Sequence, residues 1–298
     1  MRSSDMTDAK PRNWRRVALG TGGIVLVWLV GVWPPPVWWR DHWPRCTAMM
    51  REASDGRTVG QTGGRPQSDC FTVRRLPLAD VSPLLQRMVI IGEDSRFRTH
   101  HGIDPAEIAD ALGMNDPRGF WSGLAATVRH RDRVRGASTI TQQLAKNLYL
   151  SSSRSPIRKA KEAVTALGLE LALSKDRILE LYLNVAEWGP GIWGVDAASG
   201  AYFGVPASRL NEEQAAELAA TLPHPRTSNP TFRPERTRAR RALILARYHG
   251  VEVYIPPEEE DTAVLVPHVL VPPAESLNVQ LPTLVDTVTD TVSKTDSL

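Results

Sequence analysis

After a short polar start, the chain runs without a charged side chain from Val17 to Trp39, VALGTGGIVLVWLVGVWPPPVWW. As a helix, the 17 residues before Pro34 would cover about 26 Å, close to the ~30 Å hydrocarbon core of a bilayer. Trp28, Trp33, Trp38, Trp39 and Trp43 gather toward the far end, as aromatic side chains do at a membrane interface. The pattern predicts one N-terminal transmembrane helix, 17–39, after a tail, 1–16. A cleaved signal peptide is the competing reading, but Pro-Pro-Pro and Trp-Trp stand where a small-residue cleavage site would be needed.

Further along, the periodicity is helical and is broken by Gly and Pro. A Gly/Ser/Arg-rich segment, 51–68, reads as loop within a linker, 40–75. From Leu76 to Gly250 the pattern predicts a globular, mainly α domain. Ala160, Val164, Leu167 and Leu171 form one apolar row, and Ile178, Leu181 and Val185 another. Ser174, with Asp176 behind it, is a candidate helix cap. Glu212 to Thr221 is a strong helix stopped by Pro223. Beyond Gly250, Pro, Val, Thr and acids dominate without a helical period, so 251–298 reads as a disordered or extended tail.

Charge changes this picture more by its distribution than by its total. The net charge of the 298 residues is only +3. Residues 129–161 nevertheless hold nine Lys/Arg and one acid, whereas 251–298 hold nine acids and one Lys. A basic middle suits an anionic partner such as phosphate, nucleic acid or a lipid headgroup. Five Lys/Arg against two Asp precede the apolar run. The positive-inside rule therefore puts the N-terminus in the cytoplasm and the bulk of the chain outside. In that compartment Cys46 and Cys70 are either a disulfide or two free thiols. No Gly-rich phosphate loop and no metal-type His/Cys spacing is visible.

Four stretches carry candidate chemistry. In IIGEDSRFRTHHG, Glu93 follows the apolar Val89-Ile90-Ile91, which is consistent with a partly buried carboxylate. RGASTITQQLAKN packs Ser138, Thr139, Thr141, Gln142, Gln143, Lys146 and Asn147 together; the plain reading is a helix start capped by Ser138. In RKAKE, Arg158 and Glu162 share a helix face, which alone would be an exposed ion pair. In LYLNVAEWGPGIWG, Asn184 and Glu187 are the polar members of an apolar helix end. Two carboxylates can serve glycosyl transfer or cleavage. Cations beside one of them, from Lys146, Arg158, Lys159 and Lys161, would suit a pyrophosphate leaving group.

EDSRFRTHHG, GASTITQQLAKN, RKAKE and ILELYLNVAEWGPGIWGVDAASGAYFG, followed by EEQAAELAATLPHPRTSNP, resemble five successive motifs of the peptidoglycan glycosyltransferases, glycosyltransferase family 51. The wording is most similar to the monofunctional biosynthetic branch. The resemblance implies a lysozyme-like transferase domain over 76–250 that polymerises lipid II, with the growing chain on undecaprenyl pyrophosphate as donor. It implies Glu93 as the base for the GlcNAc 4-hydroxyl and Glu162 as a second acid near the donor pyrophosphate. It further implies Lys146, Arg158 and Lys159 as phosphate contacts, and Ser138, Gln142, Gln143 and Asn184 as polar residues of the cleft. No cofactor is required; a divalent Mg or Mn ion beside Glu162 is an optional addition. The expected partners are lipid II, the lipid-linked glycan, the membrane and cell-wall synthesis or division proteins, with no nucleic acid. The expected location is the inner membrane with the catalytic domain outside. The stretch 114–133 would be a mobile, membrane-facing flap. A lytic transglycosylase of the same lysozyme-like shape is the alternative.

Overall fold

The computed structural model describes residues 20–23, 27–28, 30–58, 70, 73–106, 109, 138–150 and 155–256. The expected flap, 114–133, and the tail beyond Pro256 lie outside these residues. The order is α1 (Ala48–Thr58), α2 (Pro83–Glu93), α3 (Ile140–Tyr149), α4 (Pro156–Ala172), α5 (Lys175–Val185), β1 (Glu187–Gly189), β2 (Ile192–Trp193), α6 (Val195–Phe203), α7 (Glu212–Thr221) and α8 (Glu235–Tyr248). The mainly helical expectation therefore holds. β1 and β2 form a two-stranded antiparallel ribbon.

Two helix groups position the site. α3 packs against α1, α4 and α5, while α7 packs against α2 and α8. In the first group, α3 buries Ile140, Leu144, Ala145 and Leu148, and α5 buries Ile178, Leu181 and Val185 as its row predicts. In the second, α7 buries Ala215, Ala216, Ala219 and Ala220 around Leu218, and such small side chains let neighbouring helices approach closely. Local signals fix the helix starts. Ser174 caps α5 by accepting from the Arg177 amide, and Asn211 with Gln214 forms a capping box on α7.

Three expectations change. The cap of α3 is Thr139, not Ser138: its hydroxyl accepts from the Gln142 amide while Gln142 reaches back to the Thr139 amide. The first eight residues of the expected loop, 51–58, are helical. Thr47 starts that helix by accepting from the Met50 amide, and Met50 is buried. On α4 the apolar row faces outward, with Leu167 41% and Leu171 89% exposed. The inner face is instead Glu162, Thr165, Ala166, Leu169 and Leu173, which packs toward α3.

Among the described residues no helix is long and apolar enough to cross a membrane. Residues 17–19, 24–26 and 29 of the predicted span lie outside them. Its last part has joined the fold. Pro36–Arg40 form a 3-10 helix beside α4. Trp39, expected at a membrane interface, is buried and donates its indole N–H to the Tyr149 hydroxyl, which in turn donates to Pro34 O. Arg40 binds Ala172 O at the end of α4. Cys46 and Cys70 are joined as a disulfide, their Cα atoms 5.6 Å apart.

Candidate active site

Glu93 is the last residue of α2, and its side chain is only 6% exposed. Oε2 accepts from Gln143 Nε2 at 2.8 Å, and Oε1 faces Arg240 Nη2 at 3.5 Å. Gln143 is held in turn by the Tyr182 hydroxyl, which donates to Gln143 Oε1 at 2.8 Å. That donation fixes the amide orientation, so its NH2 side must face Glu93. Burial, with Glu93 and Asp94 nearby, pushes the Tyr182 phenol well above its ordinary value, so it stays a donor.

The backbone around Glu93 is clamped by its neighbours. Asp94 is buried and accepts from the Ile140 amide at the start of α3 and from His100 Nε2. A carboxylate at a helix N-terminus is favourable, so Asp94 joins the end of α2 to the start of α3. Burial raises the Asp94 carboxyl, against the opposing pull of His100 and the Ile140 amide. Thr139 adds a second tie by donating to Gly102 O. Gly102 needs its hydrogen side chain: its φ is +85°, and a Cβ would sit 3.1 Å from the Ala166 carbonyl.

Glu162 has a different setting. It is 3% exposed on the inner face of α4, with Arg158 Nη1 donating to Oε2 at 2.8 Å and Lys159 Nζ bonded to Oε1. The pair is therefore not the exposed one its spacing alone suggests. Lys159 also donates to Ser138 Oγ at 2.8 Å, linking α4 to the residue before the α3 cap. Lys146 is half-buried on α3. Burial lowers its ammonium, while Glu162 and then Glu93 pull it back up, so it senses both carboxylates. Three cations around one buried carboxylate leave an excess of positive charge, a setting for an anion.

A carboxylate that accepts from a neutral amide, together with a second one wrapped in cations, suits group transfer from a phosphate-type leaving group. A family model described as Transglycosylase matches residues 69–249. The chain belongs to this family. A biosynthetic peptidoglycan transglycosylase of Azoarcus sp. (strain BH72) is 41% identical over 224 residues, covering 74% of this chain and 90% of the relative. Proteins of the same name from Bordetella avium (strain 197N) and Thiobacillus denitrificans (strain ATCC 25259 / T1) are 36% and 38% identical, covering 83% and 80% of this chain and 100% and 96% of theirs.

Within this transglycosylase the expected residues divide. Glu93, Gln143, Lys146, Arg158, Lys159, Glu162 and Ser138 form one linked set. Three have other uses. Gln142 is buried and spends its side chain on the α3 capping box. Asn184, 1% exposed, binds both backbone groups of Leu76 and also donates to Glu180 O, so it clips the start of the domain to α5. Lys161 turns away from the site and stacks over the Trp28 ring, 4.2 Å from its centroid.

A divalent ion beside Glu162 does not fit the residues present. Both carboxylate oxygens already bind cations, and Lys146 adds a further positive charge nearby. Asp94, His100 and Asp104 do bring ligand-type atoms within 4.8 Å of one another. The two carboxylates and His100 Nε2 already have partners, with Asp94 on His100 Nε2 and Ile140, and Asp104 on Arg96 and the Ala106 amide.

Sequence reasoning missed Arg240 and Tyr182. Arg240 lies on α8, is 8% exposed, and donates to Gly92 O at 2.7 Å and Pro256 O at 3.0 Å as well as facing Glu93. Gly92 allows this approach, since a Cβ there would meet Ile244 of α8 at 3.0 Å. Its helix is Arg-rich, and nothing in the local sequence distinguishes it from Arg238 or Arg241.

Proposed function

We propose that the chain is a peptidoglycan glycan-strand polymerase that transfers the lipid-linked glycan onto the GlcNAc 4-hydroxyl of lipid II. The observation that carries this reading is the contrast between the two carboxylates. Glu93 accepts from a neutral amide with one arginine 3.5 Å away, whereas Glu162 is bonded directly by a Lys and an Arg.

In this mechanism Glu93 takes the proton of the 4-hydroxyl. The alkoxide oxygen attacks the anomeric carbon of the donor as the bond from that carbon to the pyrophosphate oxygen breaks. In-line attack inverts the carbon and gives a β-1,4 link. The pyrophosphate leaves with the bonding electrons and is already a stable anion, so it needs positive charge and not a proton. Lys146, Arg158 and Lys159 supply that charge, with Glu162 holding the last two in register. An arriving phosphate also offsets the burial that lowers Lys146. A lytic enzyme of similar shape has no pyrophosphate to release and no use for this cation cluster.

The same reading includes a single membrane anchor within 17–39, an N-terminus in the cytoplasm and a catalytic domain outside the inner membrane. The excess of Lys/Arg before the span and the outward apolar row of α4 support it. Confinement of enzyme and both lipid-linked substrates to one surface raises their effective concentration. Incubation of the full chain with lipid II, followed by gel analysis of glycan length, tests the function. Long strands are expected; shortening of preformed glycan with no strand growth would overturn the reading.

A further inference from the structure

A cavity of about 790 Å³ lies where the N-terminal segment enters the domain, within the size range of ligand sites. Neither carboxylate of the active site lines it, and neither do Lys146, Arg158 or Lys159. It is therefore separate from the pyrophosphate setting, although Lys161 on its wall is the chain neighbour of Glu162. Successive residues of a helix point about 100° apart, so one helix serves both places.

Two features of the cavity belong together. Its lining includes four cations, Arg45, Arg51, Arg75 and Lys161, and one acid, Asp41. None of the four cations is paired with a carboxylate among the described residues. Arg51 and Arg75 are steadied instead by the carbonyls of Cys46 and Pro44. Aromatic side chains form the other feature. Trp33 is 86% and Trp38 47% exposed, and Trp38 stacks on His42 with centroids 3.8 Å apart. Cations without a carboxylate partner, in one lining with exposed indoles, match an amphiphile with an anionic head and an apolar tail.

We propose that this cavity binds the phosphate headgroup of an anionic bilayer lipid, with Arg45, Arg51, Arg75 and Lys161 around the phosphate and Trp33 and Trp38 against the acyl chains. The source is a lipid and not free phosphate because the cavity opens beside the apolar run and its exposed Trp rim. The proposal rests on the membrane-anchor reading given above.

The test uses the full chain in neutral detergent, titrated with dioctanoyl phosphatidylglycerol, dioctanoyl phosphatidylcholine and inorganic phosphate, with tryptophan fluorescence as readout. Saturable binding of phosphatidylglycerol alone is expected, weakened about fivefold for each cation removed in Arg45→Gln/Lys161→Gln. If the double variant loses its thermal transition, Lys161→Gln alone gives the same reading at about fivefold. Equal affinity for phosphatidylcholine, or unchanged affinity in the variants, overturns the proposal. Phosphate binding as tightly as the lipid overturns the lipid assignment. Flotation with vesicles of phosphatidylcholine alone reads the anchor separately. A chain that floats but shows no headgroup preference overturns the cavity proposal only, and a chain that does not float overturns the anchor reading on which it rests.

Discussion

The two buried glutamates are similar in exposure and opposite in company. Glu162 receives its two bonded cations from its own helix, three and four residues back, and only Lys146 from α3. Glu93 receives every partner from a distance: Gln143 from α3, Tyr182 behind it from α5, and Arg240 from α8. A carboxylate bonded by two cations is committed to holding them in place. One that accepts a single amide N–H, with its arginine 3.5 Å away, has lone pairs left to face a substrate hydroxyl. Local sequence can build the first kind of site, while the second needs the assembled fold.

The sharpest way to break this comparison is at Glu93. Glu93→Gln keeps the shape and the contact to Gln143 but cannot accept a proton. Strand synthesis should fall by at least about 10²–10⁴-fold with the thermal midpoint unchanged. Near-normal synthesis would remove Glu93 from the role of base.

Glu162→Gln should cost about 10²–10³-fold in turnover, because the cations lose the group that holds them in register. It should also cost about 1–2 kcal/mol of stability, since Arg158 and Lys159 are partly exposed and regain some hydration. A stability loss at Glu162 with none at Glu93 would sharpen the contrast; a wild-type rate would reduce Glu162 to a structural ion pair.

Tyr182→Phe tests the distant support of Glu93. Gln143 Oε1 loses its donor, and turnover should drop about 10- to 100-fold with KM nearly constant. An equal change in KM and turnover would instead point to a general loosening of the core.

The smallest effect is thermal. Lys146 is held below the ordinary lysine value of 10.5, chiefly by burial. Between its folded value and 10.5 the unfolded chain binds more protons than the folded one, so stability rises with pH across that window. Lys146→Met should flatten that rise and lift the thermal midpoint at neutral pH by about 2–4 °C. A lowered midpoint would mean that Lys146 gains more from Glu162 and Glu93 than burial costs it.

Much of this molecule is written locally. Helical periodicity gave the mainly α fold, and Ser174 and Asn211 mark helix starts through side chains that reach the next turn. The RKAKE spacing puts Arg158 and Lys159 beside Glu162 wherever the helix lies. Periodicity alone does not say which face of α4 turns inward. The row with Leu167 and Leu171 is the more apolar, yet the row with Glu162 is the one buried. Packing against α3 decides it: Ala166 and Leu169 are buried with Glu162, whose charge is met by Arg158 and Lys159.

The sequence by itself therefore determined the mainly helical fold, the Ser174 cap, the placing of Arg158 and Lys159 beside Glu162 and the apolar run ahead of the domain. Tertiary structure alone decided that Gln142 and Asn184 are spent on a cap and a clip, that Trp39 enters the core, and that Tyr182 and Arg240 stand behind and beside Glu93. The physical reason is reach. Contacts within one helical turn are set by spacing. The partners of Glu93 lie 50 residues away at Gln143 and 147 away at Arg240, and only a closed chain brings them together.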